Sequence, residues 1–148
     1  MKILTVAVVC AVIVFLGVLL WKTEHKPEDK LSLLRNEVEP RGGVVLETQL
    51  EGRRAAFLLL RCELFLLDAT AKELVRTKVL QLGFHLWPAP CWRQSIRMED
   101  GYLRVYLENR AFGAGGGNPS GGEYRSRDGR VWEKETSKGW RPVAEVQD

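Results

Sequence analysis

The chain has 148 residues and a net charge of +3, with 45% hydrophobic and 28% charged residues. Without its N-terminal run, about 120 residues remain, enough for one modest domain and too few for two. The basic residues are interleaved with acids along the chain, which argues against the clustered cationic surface of a nucleic-acid binder.

Ile3 to Trp21 carries no formal charge. As a helix it would span roughly 28 Å, close to the hydrocarbon core of a bilayer. Trp21 and Lys22 stand where interfacial anchors stand. The competing reading is a cleaved signal peptide, but Gly17 to Lys22 offers no small-x-small cleavage site. The expectation is a signal anchor over residues 1–21, with the N-terminus cytoplasmic and the remainder outside the cytoplasm, in a periplasm or similar envelope space. Lys22, Lys26 and Lys30 oppose that orientation by charge; the usual layout of one short tail, one span and one domain supports it.

Residues 22–42 read as a charged linker. Pro27 can open a short helix, with Glu28 and Asp29 in its first turn and Leu31, Leu34 and Val38 on one face. Pro40-Arg41-Gly42-Gly43 ends it. The domain proper is expected over 43–148, beginning with a strand at Val44 to Leu50 and a turn at Glu51-Gly52-Arg53.

Residues 54–80 admit two readings. As a strand, Ala56, Leu58, Leu60, Cys62, Leu64 and Leu66 form one apolar face; as a helix, Phe57, Leu60, Leu64, Leu67, Ala71 and Leu74 follow three-four spacing. Thr70 and Glu73 have capping-box spacing, which supports a helix after Asp68. Strands are preferred, and Leu64 to Leu74 resembles the strand-turn-strand of quinoprotein-type propeller repeats; the chain is too short for a propeller, so a hairpin is implied. Cys62 and Cys91 pair across a loop of about 30 residues in an oxidising compartment, or stay as two buried thiols; spacing does not decide.

Phe84 to Trp92 is an aromatic connection stiffened by Pro88 and Pro90. From Trp92 the residues alternate as a strand. Asp100-Gly101 marks a hairpin, and Tyr102 to Leu107 is its partner. Gly113 to Gly122 holds six glycines and is expected as a mobile loop. Tyr124 to Ser126, Asp128-Gly129 and Val131 to Thr136 form a second hairpin, and Trp140 to Val146 a last strand. The fold class is therefore mainly β, a small antiparallel β-meander or sandwich behind one transmembrane helix, with α+β as the alternative.

Chemistry-bearing motifs are scarce. His25 and His85 have no neighbouring ligand set, and the glycine-rich stretch lacks the lysine and following helix of a phosphate loop. No catalytic residue, metal or cofactor is assigned. Trp87, Trp92, Trp132 and Trp140 divide between core and binding hot spots. Ser126 to Trp132 resembles an Asp-box hairpin, with one residue fewer between aspartate and tryptophan, and that motif is structural. Ser120-Gly121-Gly122-Glu123-Tyr124 followed by Trp132-Glu133-Lys134 resembles the signature of the bacterial C-type lysozyme inhibitors of periplasm and membrane. The resemblance implies that Ser120 and Lys134 enter the lysozyme cleft with Tyr124 in support; Lys134 is followed by Glu135 where that family has glycine. The candidate binding residues are thus Ser120, Tyr124, Lys134, Trp87, Trp92 and Trp132. The function expected first is a non-enzymatic, membrane-anchored envelope protein that binds another protein, as an accessory subunit or immunity-type protein. A periplasmic lysozyme inhibitor is the alternative.

Overall fold

The structure, a computed structural model, describes residues 27–82, 90–110 and 119–145. The proposed anchor over 3–21, Cys10, both histidines and Trp87 lie outside them. Helix α1 (Pro27–Val38) runs into a single 3-10 turn (Glu39–Arg41). Four strands follow, β1 (Val44–Leu50), β2 (Arg53–Leu60), β3 (Glu63–Asp68) and β4 (Val75–Gln81), as an antiparallel meander. A second meander holds β5 (Cys91–Glu99), β6 (Tyr102–Arg110), β7 (Pro119–Ser126), β8 (Glu133–Thr136) and β9 (Gly139–Pro142), ending in a 3-10 turn (Val143–Glu145).

The mainly-β expectation holds, as two antiparallel sheets. Strand alternation sends each sheet's apolar set to a common interior. Phe57, Leu59, Leu64 and Leu80 of the first sheet share one core cluster with Leu103, Val105, Leu107 and Tyr124 of the second and with Trp132 just before β8. The opposite face of the first sheet, with Val45, Ala56, Leu58 and Leu67, is covered by Leu31, Leu34 and Val38 of α1. The helix is therefore packed onto the sheet as a third layer. Lys30 fixes it there by donating from Nζ to the Ala71 carbonyl at 2.7 Å and the Lys72 carbonyl at 3.1 Å.

The helical alternative for 54–80 is overturned. Leu58 and Leu59 are both fully buried because the first sheet has apolar layers on both faces, so β2 reads as a continuous apolar run. The turn inside that run, Arg61-Cys62, escaped detection because it lacks glycine, asparagine and proline. Both residues are at positive φ (54° and 59°), as at Glu51-Gly52 (50° and 75°) and Asp100-Gly101 (51° and 76°), the condition for a tight hairpin of type I′. No helix follows Asp68. Its Oδ1 instead accepts from the Thr70 amide at 2.9 Å and the Thr70 hydroxyl at 2.6 Å, closing an Asx turn.

The glycine-rich stretch is corrected too. Its last part is strand, since β7 begins at Pro119 and pairs Ser120 with Asn109 and Gly121 with Glu108. The last strand is shorter than expected: β9 stops at Pro142. Between β7 and β8, Ser126 to Trp132 forms a tight turn. Asp128 Oδ1 accepts from the amides of Arg130 and Val131, both at 2.8 Å, and buried Ser126 Oγ accepts from the Gly129 amide at 2.9 Å.

The Val131 amide, with that of Arg130 and the Ser126 hydroxyl, holds the Asp128 carboxyl below its ordinary value of 3.8. A folded value below the unfolded one adds stability that is present above pH 3.8 and lost as pH falls through the folded value. Acid titration of unfolding is expected to show this loss, and Asp128→Asn to flatten that limb. An unchanged acid limb in the variant would remove Asp128 from the account.

Candidate functional site

The outward face of the second sheet carries every second residue of β5, β6 and β7, opposite the buried set. On β6 these are Tyr102, Arg104, Tyr106, Glu108 and Arg110, alternating with buried Leu103, Val105 and Leu107. Cross-strand register places Arg104 between Arg97 of β5 and Arg125 of β7. Three arginines abreast would repel one another. Glutamates offset this: Arg97 reaches Glu123 at 2.6 Å, Arg104 reaches Glu99 at 2.9 Å and Arg125 reaches Glu133 at 2.7 Å.

Aromatic rings complete the face. The Arg125 guanidinium carbon lies 4.2 Å from the Trp140 ring centroid and 4.5 Å from that of Tyr102. Arg127 lies 4.8 Å from the Tyr102 centroid. At the other end, Arg110 lies 4.8 Å from the Trp92 centroid and donates from Nε to Glu108 Oε1 at 2.9 Å. Tyr106 donates its hydroxyl to Glu108 Oε2 at 3.0 Å. Glu108 is thus buried yet satisfied. The Arg110 hydrogen bond, then that of Tyr106, holds its carboxyl below the ordinary value, and acceptance by Glu108 pushes the Tyr106 phenol up.

Beside Trp92 the two sheets meet at an open cleft of about 700 Å³, lined by Arg41, Arg61, Trp92, Arg93, Gln94 and Tyr106 among others. Trp92 sits at an irregularity in the β5–β6 register, where Cys91 faces Asn109 and Arg93 faces Glu108. This extra residue turns the local chain and leaves Trp92 about half exposed. Cys62 of the Arg61-Cys62 turn is joined to Cys91 by a disulfide, with Cα atoms 5.5 Å apart. Gln94 ties the walls together: Oε1 accepts from the Cys62 amide at 2.8 Å, and Nε2 donates to the Gly42 carbonyl at 2.7 Å. Gln94→Ala is expected to cost about 1–3 kcal/mol in urea unfolding, because it strands a partly buried amide. A change below about 0.5 kcal/mol would show that water replaces the side chain at no cost.

The sequence-derived candidates are dispersed. Tyr124 and Trp132 are buried, 2% and 5% exposed, with their rings in the core between the sheets. Lys134 faces Tyr124 across the β7–β8 pair, its Nζ 5.7 Å from that ring centroid. Ser120 is half-buried inside β7, four residues before Tyr124 and so about 13 Å away along the strand. Ser120 and Lys134 therefore do not share a loop tip. Trp92 alone of the described candidates lies at the cleft. Arg61, Arg93, Glu108, Arg110 and Arg125 were missed. The signal for the outward face is the period-two run Tyr102-Arg104-Tyr106-Glu108-Arg110, the polar counterpart of Leu103, Val105 and Leu107. Among the described residues, no three histidine, cysteine or acidic side chains are grouped as metal ligands. No protein-family model, curated protein or solved structure matches this chain.

Proposed function

We propose that this chain is a non-catalytic protein of a cell envelope, anchored through residues 3–21, that binds another protein with the outward face of its second sheet. The observation that carries the reading is the Arg125 guanidinium held between Trp140 and Tyr102. Tryptophan, tyrosine and arginine dominate binding hot spots. Side chains already locked by stacking and ion pairs lose little freedom when a partner arrives, so more of the contact energy appears as affinity. An accessory subunit or an immunity-type protein would both use such a face. The uncharged N-terminal run supports the anchor, and a disulfide-bonded domain suits an exported one.

The test is capture of a stoichiometric partner by the full-length chain extracted in mild detergent. Arg125→Ala and Tyr102→Ala are expected to weaken capture by about tenfold or more each, the effect of losing a hot-spot contact. Arg35→Ala, whose ion pair with Glu47 joins α1 to β1, is expected to leave capture unchanged. Equal capture by all three variants would contradict the proposal.

A further inference from the structure

We infer that the cleft beside Trp92 takes a carboxylate-rich segment of a partner protein; this rests on the protein-binding role proposed above and assigns the partner's chemistry. Three arginines line the cleft from separate parts of the chain: Arg41 from the 3-10 turn, Arg61 from the β2–β3 turn and Arg93 from β5. No carboxylate is among the described residues that line it. The balance differs from the neighbouring face, where Arg97, Arg104, Arg110 and Arg125 are each matched by a glutamate. Among the described residues Arg41 has one ion pair, a long contact of 3.5 Å to Glu37, with both side chains more than half exposed. Arg61 and Arg93 form no ion pair among the described residues, although Arg93 acts on Glu108 at longer range.

The backbone points the same way. Arg61 occupies the left-handed region where glycine would be unstrained, and its neighbour Cys62 does too. The other two tight turns of this type carry glycine at their second position. This turn is held instead by the Cys62–Cys91 bridge and by the Gln94 hydrogen bond to the Cys62 amide. The φ of Arg61 itself matches that of Glu51 and Asp100 at the first position of those turns, so it is Cys62 that sets this turn apart. Here the result is a guanidinium at the cleft on a rigid support. Planar guanidinium forks match carboxylates with paired hydrogen bonds. Half-exposed Trp92 adds a ring for an apolar or aromatic neighbour in the same segment. A nucleic acid fits less well: a phosphate backbone leaving the cleft across β5 to β7 would run over Glu99, Glu108 and Glu123.

The experiment uses the full-length chain in detergent and a fluorescein-labelled hexaglutamate peptide, followed by anisotropy. Wild type is expected to bind it, with affinity falling as salt rises. Arg61→Gly and Arg93→Gln are each expected to weaken binding by about tenfold. Arg61→Gly removes the charge while relieving the strained φ, so its melting temperature is expected to hold or rise and lost binding is not lost folding. Arg53→Gln, at the far end of β2, is the control and is expected to bind as wild type does. No binding by wild type, or unchanged binding by both cleft variants, overturns the inference. So does tighter binding of an oligothymidylate than of the peptide, or equal competition by inorganic phosphate. Arg125→Ala separates the two proposals: it is expected to retain the peptide while losing the captured partner. Loss of the peptide site alone leaves the face proposal standing.

Discussion

Replacing Cys62 and Cys91 together with alanine is expected to lower the unfolding free energy by about 3–4 kcal/mol. The pair closes a loop of 29 residues in sequence, and the estimate follows from the freedom that such a loop restores to the unfolded chain. Single domains are stable by only about 5–15 kcal/mol, so this is a large share. The position of the bridge adds to the effect. It joins the β2–β3 turn of the first sheet to the start of β5 in the second, the same place where Gln94 crosses between them. It also restrains two residues at positive φ that no glycine relieves. Alanine is the right replacement because Cys62 is 3% exposed, where a serine hydroxyl would need a partner. Urea unfolding of the oxidised full-length chain and of the double variant measures the difference. A loss below about 1 kcal/mol would mean that the interlocked cores of the two sheets, not the bridge, fix the cleft wall.

Gly121→Ala is expected to destabilise the domain by about 3–5 kcal/mol, combining backbone strain with overpacking. A Cβ at this position would lie 2.1 Å from the Leu107 carbonyl oxygen and 3.2 Å from Leu82 Cδ2, and the residue sits at φ +115°. The carbonyl is backbone of the neighbouring strand and cannot swing aside as a side chain could. Relief requires separating β6 from β7, and β6 holds Leu103, Val105 and Leu107 at the centre of the core. Gly122 is the internal control. It has φ +131° but open space around its Cβ position, so Gly122→Ala is expected to show the strain alone, about 1–3 kcal/mol. Similar losses in the two variants would mean that the close β6–β7 approach is not what requires glycine at 121.

Those two positions show what can be read from a chain of this kind and what cannot. The β5–β6 hairpin was legible because strict alternation ends at Asp100-Gly101, a turn signal with a mechanism. Helix α1 was legible from Pro27 and the spacing of Leu31, Leu34 and Val38. That this helix covers the sheet was not, because a linker helix and a packed one share the same apolar stripe. The β2–β3 turn was hidden because tertiary ties replace the usual turn residues at Arg61-Cys62. Gly121 and Gly122 read as loop because a glycine-rich run names no partner strand, and only Leu107 explains them. The resemblance carried by Ser120, Tyr124 and Lys134 is one of sequence; strand pairing sets Lys134 across from Tyr124, leaves Ser120 four residues back along β7 and gives the Tyr124 ring to the core. At the cleft, Trp92 was among the expected binding residues. Arg61 and Arg93 were not, since an isolated arginine on an alternating strand looks like any solvated charge until the fold gathers three of them.

Hydrogen exchange by mass spectrometry on the captured complex tests the binding face most directly. Partner binding is expected to slow exchange in β5, in β6 and in residues 123–126 of β7, and to leave α1 unchanged. Protection confined to α1 and the outer edge of the first sheet, with the second sheet exchanging as in the free chain, would contradict it.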